Sequence, residues 1–150
     1  METRLQVEIK KVDAEKVRPL RHSELRKGQD FSTTSYLKDY EEDTFHMACI
    51  VDDKIVTCAT FYPEKSTKIN SENAYRLRGM ATDSNFQRKG YATDLMSESF
   101  KELKKRDCDM VWCNARLVAV DFYKSVGFKI TGDLFDIAEI GPHYYMYKEI

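Results

Sequence analysis

The sequence predicts an α/β fold in which a mixed, mostly antiparallel sheet is flanked by helices within a single domain, residues 1–150. The first half is rich in short β-branched and aromatic runs, which are typical of paired strands. A strongly amphipathic helix follows, and the last third alternates strand and helix patterns. A chain of 150 residues has the length of one ordinary domain, and no repeat or Pro/Ser-rich linker divides it.

The composition argues against several classes of protein. The 24 Lys and Arg residues nearly balance the 25 Asp and Glu residues, and the net charge of −1 argues against nucleic-acid binding over the whole chain. The longest apolar runs fall far short of the roughly 18 residues that span a bilayer, so we expect no membrane partner. Because no secretory signal is visible at the N-terminus, we expect a cytoplasmic protein.

Cysteine spacing indicates neither a metal site nor a redox site. The four cysteines show no CxxC pattern and have no nearby pair of histidines, so we predict no zinc or other metal. In a reducing cytosol, buried free thiols are the expected state. A cysteine hydrolase that uses Cys49 or Cys113 would need a base and an orienting carboxylate, and no spacing supports them.

The N-terminal quarter predicts one strand, one short helix and a long irregular segment. Leu5, Val7 and Ile9 alternate with polar residues, which is the pattern of a half-buried strand. Asp13 can cap a short helix through Val17, which Pro19 would end or bend. Residues 26–44 are polar and include an acidic cluster, residues 39–43, so we expect either a substrate loop or a mobile flap there.

Three strands are predicted in the middle of the chain. The runs 45–51 and 55–62 are β-branched and aromatic, and the polar residues 52–54 between them predict an antiparallel hairpin. A third run, residues 74–82, pairs plausibly with them. Its odd-numbered positions from Tyr75 to Ala81 lie on one face and its even-numbered positions on the other. Gly79 interrupts the run and predicts a bulge.

The C-terminal half predicts two helices and three strands. The clearest helix runs from about Gly90 to Arg106 and is amphipathic. A short buried strand, residues 110–113, follows it. A second helix over residues 118–126 would place Val118, Phe122 and Val126 on one side and end at Gly127. Residues 128–130 and 143–148 are predicted as two closing strands.

The loop between the third strand and the long helix is the sharpest local signal for chemistry. The first amides of a helix have no internal partner and lie at the positive end of its dipole, so they offer a site for a phosphate or pyrophosphate. Gly90 and Ala92 allow a ligand close to the backbone, and Arg88 and Lys89 add positive charge. The loop is neither a Walker A loop nor a Rossmann fingerprint, because the required glycines are absent.

Two blocks of residues resemble the GNAT family of N-acetyltransferases. Gln87, Gly90 and Ala92 match the family's acetyl-CoA signature of Gln or Arg, two residues, Gly, one residue, and Gly or Ala. A second block resembles its N…A..FY…GF pattern and comprises Asn114, Ala115, Ala119, Phe122, Tyr123, Gly127 and Phe128. The resemblance covers roughly residues 74–130, and it implies a GNAT-like fold and an acetyltransferase that uses acetyl-CoA as co-substrate.

The resemblance implies a role for each matching position. The backbone of Met80, Ala81 and Thr82 would pair with the pantetheine arm as an added strand. The pyrophosphate would lie on the loop formed by Gln87, Arg88, Lys89, Gly90, Tyr91 and Ala92. Asn114 would lie near the pantetheine amides, although a strand-end cap explains it equally well. Tyr123 matches the general acid that protonates the departing CoA thiolate; the alternative is a packing aromatic beside Phe122.

The base and the acceptor are less defined. Direct attack by an amine on the acetyl thioester needs a base or a water relay, and His143 is preferred to His46, with Glu24 and Asp43 behind them. Arg78 and Arg116 border the implied cleft and favour an acceptor with a carboxylate or phosphate. These arginines, with Arg76, could instead pair with acidic residues such as those of the 39–43 cluster. If that cluster faces the pocket, a polyamine or a lysine side chain becomes the better acceptor.

Two classes of function follow. The first is transfer of an acetyl group from acetyl-CoA to a primary amine of a small molecule or peptide. The second is a non-catalytic CoA-binding, sensing or interaction module of the same fold. The presence of Tyr123 favours the enzyme, because a binding module needs no proton donor. We expect no nucleic-acid partner, and a homodimer is possible because dimers are the commonest homo-oligomers.

Overall fold

A computed structural model describes residues 6–138 and 140–150, which contain seven strands and three α-helices. The strands are β1 (Val7–Val12), β2 (Phe45–Val51), β3 (Lys54–Pro63), β4 (Ala74–Thr82), β5 (Met110–Arg116), β6 (Lys129–Ile137) and β7 (Gly141–Glu149), and the helices are α1 (Ala14–Leu25), α2 (Tyr91–Lys105) and α3 (Val120–Ser125). The strands form one sheet in the order β1-β2-β3-β4-β5-β7-β6. β4 and β5 are parallel, whereas β1 and β2, β2 and β3, β5 and β7, and β6 and β7 pair antiparallel. The predicted α/β class with a mixed, mostly antiparallel sheet is confirmed.

The chain divides into two compact units. The first contains the described residues up to Tyr62 together with Gly79–Ser99. The second contains Pro63–Arg78 and Phe100–Ile150. β4 and α2 each contribute residues to both units.

Helix α1 is longer than predicted, and the expectation that Pro19 ends or bends the helix near Val17 was wrong about its end. α1 continues through Pro19 to Leu25. Proline removes one N–H, so only one carbonyl in the preceding turn loses its helical partner. Val17 and Leu20, on either side of Pro19, pack in a buried cluster with Cys58 and Ala81. Burial of this apolar face offsets the lost hydrogen bond.

The predicted hairpin is present, and its turn has a clear backbone cause. Asp52 and Asp53 have φ values of 47° and 68°, which is the left-handed region that a two-residue turn between twisted strands requires. The predicted N-terminal strand is present as β1 and pairs with β2, but Val7 is 48% exposed because β1 lies at an edge of the sheet. Leu5, which belongs to the predicted alternation, lies outside the described residues.

Residues 26–44, predicted as a substrate loop or a mobile flap, contain a short helix and several buried side chains. The segment contains a short 3-10 helix, Phe31–Thr34, which Asp30 caps by accepting a hydrogen bond from the Ser32 amide at 2.9 Å. Thr34, Tyr36 and Asp39 are buried. Polar side chains of α1 bind this stretch, so it packs as part of the core of the first unit.

The second unit differs from prediction in the lengths of its elements. β5 extends through Asn114 to Arg116, and β6 and β7 are both longer than expected. A 3-10 turn, Leu117–Ala119, precedes α3. The turn changes which residues face inward, so Val118 is 93% exposed, and Val120 and Tyr123 are buried instead. The predicted helix over residues 118–126 therefore starts later, and Val118 does not share a helix face with Phe122.

A carboxylate secures the loop that leads into β4. Asp109 accepts hydrogen bonds from the Ser71 hydroxyl and from the amides of Glu72 and Asn73, the latter two at 2.9 and 3.1 Å. Burial raises the pKa of Asp109, but these hydrogen bonds outweigh it and hold that pKa below its usual value. Asp109 thus anchors the start of β4.

We expect Asp109→Ala to lower the free energy of unfolding by about 1–3 kcal/mol, because it leaves two amides and a hydroxyl without their acceptor. Urea denaturation at neutral pH measures this change. Asp133→Ala, at an exposed position of β6, is the matched control. Equal stability of the two variants would contradict the anchoring role.

Candidate active site

The loop before α2 presents its backbone to solvent. Gln87, Arg88, Lys89 and Gly90 are all exposed. Arg88 and Gly90 have φ values of 61° and 84°, and no atom lies within 4 Å of the position that a Gly90 Cβ would take. α2 begins at Tyr91 and has 15 residues, so its first amides lack internal acceptors and carry the positive end of a full helix dipole. Left-handed residues just before a helix turn successive amides to one side, an arrangement that fits a phosphate group.

The approach to this loop is held in place by charged and polar side chains. Asp83 accepts a hydrogen bond from the Asn85 amide at 2.9 Å and an ion pair from Lys54 at 3.0 Å. These two contacts hold the pKa of Asp83 below its usual value. Glu24, a minor candidate for the base, accepts a hydrogen bond from the Ser84 amide at 3.2 Å. These contacts therefore hold residues 83–85, which connect β4 to the loop.

The end of β4 shows the predicted irregularity. Gly79 has a φ of 64°. Tyr75, Leu77 and Ala81 are buried, whereas Met80 and Thr82 on the other face are half-buried, as the alternation predicts. Thr82 accepts a hydrogen bond at 3.4 Å from the hydroxyl of Thr57 on β3. Met80, Ala81 and Thr82, the predicted pantetheine strand, thus lie in the same unit as the loop of residues 87–92.

The parallel pairing of β4 and β5 is short. Within the described residues it joins Ala74–Arg76 to Met110–Trp112, and both strands continue beyond it. On its other side β5 pairs with β7, where Asn114 faces Tyr145 and Arg116 faces His143. Arg78, Asn114 and Arg116 are half-buried in this part of the second unit.

Tyr123 is a buried phenol surrounded by aromatic rings. It is 6% exposed, and its ring centroid lies 5.5 Å from that of Phe122 and 5.2 Å from that of Phe128. Burial raises the pKa of Tyr123 well above its ordinary value, and the Cys113 thiol adds to the rise. The positive charge of Arg116 opposes it. The phenol therefore stays protonated at neutral pH, which is the state that a proton donor requires.

The two candidate histidines differ in what their ring nitrogens can do. His143 is buried, and its Nδ1 lies 2.8 Å from the Gly141 carbonyl oxygen. A carbonyl only accepts, so Nδ1 carries the proton and Nε2 of the neutral ring can accept one.

His46 by contrast is a structural residue. Its Nε2 donates to the Asp39 carbonyl at 3.0 Å, and its Nδ1 accepts from the Thr60 hydroxyl at 2.7 Å. Burial lowers the pKa of His46, and the nearby charge of Asp39 opposes that change only partly. Both nitrogens are engaged in neutral form, so His46 makes a poor general base.

The candidate arginines differ in the residues that they contact. Arg76 donates to the Glu64 carboxylate at 3.1 Å, and its guanidinium lies 4.8 Å from the Trp112 ring centroid. Arg76 is thus bound by an acidic residue of the protein itself, although not by the 39–43 cluster. Within that cluster, Asp39 binds Arg21 at 2.8 Å. Arg116 acts on Tyr123 through its charge, so it lies near the predicted proton donor.

The structure groups the predicted residues in two sets. Met80, Ala81, Thr82 and the 87–92 loop belong to the first unit; Arg78, Asn114, Arg116, Tyr123 and His143 belong to the second. The sequence analysis missed Arg21, a fully buried arginine of α1, because Pro19 was expected to end the helix before it. The only available signal was its spacing from Val17 and Leu20, whose periodicity continues through Pro19.

Residues 6–138 and 140–150 contain no helix that is both long and apolar enough to cross a membrane. They also contain no group of three His, Cys, Asp or Glu side chains that could hold a metal ion.

Comparisons with known proteins agree with each other. The model of the Acetyltransferase (GNAT) family matches residues 14–128. The uncharacterized N-acetyltransferase YitI of Bacillus subtilis (strain 168) is 33% identical over 144 residues, which cover 96% of this chain and 97% of that protein. An aminoglycoside 6'-N-acetyltransferase complexed with coenzyme A superposes with a TM-score of 0.76 at 14% identity, covering 95% of this chain and 96% of that one. The structure of the NatC complex bound to Gag peptide and CoA gives a TM-score of 0.76 at 13% identity, and the match covers 97% of this chain and 99% of that one.

Proposed function

The chain belongs to the GNAT family of acetyltransferases, and from that premise we propose that it transfers the acetyl group of acetyl-CoA directly to a primary amine. One observation carries the proposal. The exposed loop of residues 87–90, with Arg88 and Gly90 at positive φ, opens onto the free amides of a 15-residue helix. This arrangement supports the loop as the site of the CoA pyrophosphate.

The proposal assigns the co-substrate to the backbone and side chains of the first unit, with Asn114 as the one contribution from the second. The amides that follow Gly90 donate to the pyrophosphate, and Arg88 and Lys89 neutralise its charge. The peptide groups of Met80, Ala81 and Thr82 bond the pantetheine arm, and Asn114 contributes a side-chain amide. The Met80 amide donates to the thioester carbonyl oxygen, on which negative charge develops during attack.

The proposed reaction has no covalent enzyme intermediate. The nitrogen of the neutral amine bonds to the thioester carbon, and the bond from that carbon to sulfur breaks. Sulfur leaves with the electron pair and takes the phenol proton of Tyr123. His143 removes a proton from the amine at Nε2, and its Nδ1–H bond to Gly141 holds the ring in the required tautomer. The high pKa of Tyr123 keeps this proton in place until the thiolate forms.

We propose an acceptor that carries an anionic group, bound by Arg78 and Arg116. The pairing of Asp39 with Arg21 supports this choice over a polyamine, because it removes one carboxylate from the acidic cluster and buries it in the core. The acceptor is a small molecule or a peptide. The four cysteines are free and buried, which supports a reducing compartment and hence the cytoplasm.

The first test is a calorimetric titration with acetyl-CoA and with CoA, followed by a screen of amines from amino acids to polyamines and peptide lysines. We expect saturable binding of both nucleotides and turnover with amines that carry an acidic group. Binding without turnover on any amine would favour the non-catalytic CoA-binding module. Absence of binding to either nucleotide would contradict the assignment of the loop.

Gly90→Val tests the loop itself. We expect this variant to lose at least about 100-fold in CoA affinity, because valine strains the left-handed backbone and occupies the space above the amides. Gly28→Val is the matched control, since Gly28 also has a positive φ of 77° and open space around it. Gly28→Val should bear a similar strain and bind CoA as the wild type does. Retained CoA affinity in folded Gly90→Val would mean that the pyrophosphate lies elsewhere.

A further inference from the structure

Arg21 is fully buried in the first unit, and four of its five N–H groups have acceptors. One terminal nitrogen donates to the Thr34 carbonyl at 2.7 Å and to Asp39 at 2.8 Å. The other donates to Asp39 at 3.0 Å and to the Thr60 hydroxyl at 2.6 Å. The bidentate pair with Asp39 and the bond to β3 hold the guanidinium in one orientation. Because the guanidinium is fixed, it can restrict the conformation of the backbone that packs against it.

The remaining edge of the guanidinium packs on the backbone of β4. Arg21 Nε is buried and lacks a hydrogen-bond partner within the described residues. A Cβ placed on Gly79 would lie 2.9 Å from this nitrogen and 3.1 Å from the Tyr36 ring. Tyr36 in turn stacks on Arg21, with the guanidinium carbon 3.9 Å from the ring centroid. Gly79 is therefore enclosed by two side chains that a larger residue would displace.

The enclosure of Gly79 restricts its backbone, which glycine by itself leaves freer than any other residue does. Gly79 has a φ of 64°, and without a side chain it can adopt many other backbone conformations at little cost. The peptide group between Gly79 and Met80 includes the Met80 N–H, so its direction depends on the conformation of Gly79. Packing of Arg21 and Tyr36 on Gly79 restricts that conformation.

We propose that Arg21 is a positioning residue for acetyl transfer, because it holds Gly79 so that the Met80 N–H points at the thioester carbonyl oxygen. The inference rests on the proposed function, in which that amide meets the carbonyl. Arg21 itself touches neither substrate. The charge pair with Asp39 then serves to orient the guanidinium against β4, and segment 34–39 is the element that completes the support.

Arg18 provides a matched control on the same helix. It binds the same segment, since its Nε donates to the Thr34 hydroxyl at 2.9 Å and its guanidinium lies 4.5 Å from the Phe31 ring centroid. The atoms nearest to a Cβ placed on Gly79 belong to Arg21 and Tyr36 and not to Arg18. Loosening of the segment by itself should therefore affect Arg18 and Arg21 variants alike, whereas loss of support for Gly79 should follow only from Arg21.

The test uses ¹⁵N-labelled full-length protein and follows the Met80 amide by NMR, with CoA and acetyl-CoA as probes. In Arg21→Lys we expect hydrogen exchange at Met80 to accelerate at least roughly tenfold, since local opening of β4 becomes easier. Acetyl-CoA should shift the Met80 amide resonance further than CoA does in the wild type, and we expect this difference to shrink in Arg21→Lys. Arg18→Lys should alter neither. If Arg21→Lys does not fold, Tyr36→Leu removes the stacked ring and should give the same changes.

The possible outcomes distinguish failure of the positioning role of Arg21 from failure of the proposed acetyl transfer. An unchanged Met80 amide in a folded Arg21→Lys protein, or equal changes in Arg18→Lys, would overturn the positioning role and leave the proposed function intact. Wild-type protein that binds neither nucleotide would overturn the proposed function. In that case the exchange rate of Met80, measured without ligand, still decides whether Arg21 holds Gly79.

Discussion

Tyr123→Phe is expected to lower kcat by about 100- to 1,000-fold while the affinity for acetyl-CoA stays within about twofold of the wild type. The variant removes the proton that the departing thiolate takes and leaves the ring packing on Phe122 and Phe128. Release of the CoA thiol, measured with an amine from the screen, gives kcat, and calorimetry gives the affinity. Tyr62→Phe, which removes the hydroxyl of another buried tyrosine, should retain full activity.

The pH dependence offers an independent check of the same residue. Burial raises the pKa of Tyr123 well above its ordinary value of 10.0, so the donor remains protonated through the neutral and mildly alkaline range. We expect no loss of kcat from this group below about pH 10. A wild-type alkaline limb near pH 8 that disappears in Tyr123→Phe would contradict this assignment, and an unaltered rate in that variant would remove Tyr123 from the mechanism.

The second large effect concerns stability. Asp39→Ala is expected to lower the free energy of unfolding by about 3–5 kcal/mol, because it leaves the buried charge of Arg21 without its counter-ion. The Tyr36 amide, which donates to Asp39 at 2.9 Å, also loses its acceptor. Urea denaturation at pH 7 measures the change. Glu42→Ala, an exposed carboxylate of the same acidic cluster, should change stability by less than about 0.5 kcal/mol. Similar losses in both variants would contradict the structure of this network.

The same network predicts acid lability with a defined sign. Burial raises the pKa of Asp39, but hydrogen bonds from Arg21 and Tyr36 and the charge of Arg21 outweigh it, so the pKa lies below its ordinary 3.8. Its contribution is therefore fully present above about pH 4 and is lost as pH falls through the folded pKa. His46, whose pKa lies below 6.5, removes stability earlier, because the unfolded chain takes up its proton first.

Wild-type stability should therefore begin to fall below about pH 6.5 and fall again below about pH 4. Urea midpoints between pH 7 and pH 3 measure both steps. In His46→Gln the first step should be smaller. A wild-type stability that is constant between pH 7 and pH 5 would contradict the burial of a neutral His46.

Strong local patterns allowed much of the fold to be predicted. The hairpin followed from two β-branched runs around Asp52 and Asp53, and α2 from an apolar face that repeats over four turns. The alternation along β4 was also correct, because strand geometry places successive side chains on opposite faces. The predicted bulge at Gly79 stays a prediction, since β4 continues through this residue. The motif at residues 87–92 follows β4 and ends in the first turn of α2, so it includes the predicted start of the helix.

Weak or short sequence patterns did not predict the features that depend on tertiary contacts. Val118 was predicted to lie in the second helix on one side with Phe122 and Val126, but a 3-10 turn that no local pattern indicates contains it, and Val120 and Tyr123 are the buried residues of α3. The sequence favoured His143 over His46 as the base but did not show what binds either ring. Their difference arises from the acceptors around each ring, a carbonyl two residues away for one and Thr60 with Asp39 for the other.

The sequence by itself determined the fold class, the family and the position of the loop before α2, because these depend on periodicity and on motifs of closely spaced residues. Only the tertiary structure decided that Pro19 lies within a helix and that Arg21 is buried against Gly79. The partners of Arg21 are Thr34, Asp39, Thr60 and Gly79, which lie 13 to 58 positions away in the chain. Burial of a charge is favourable only when such distant partners converge on it, and no local pattern records that convergence.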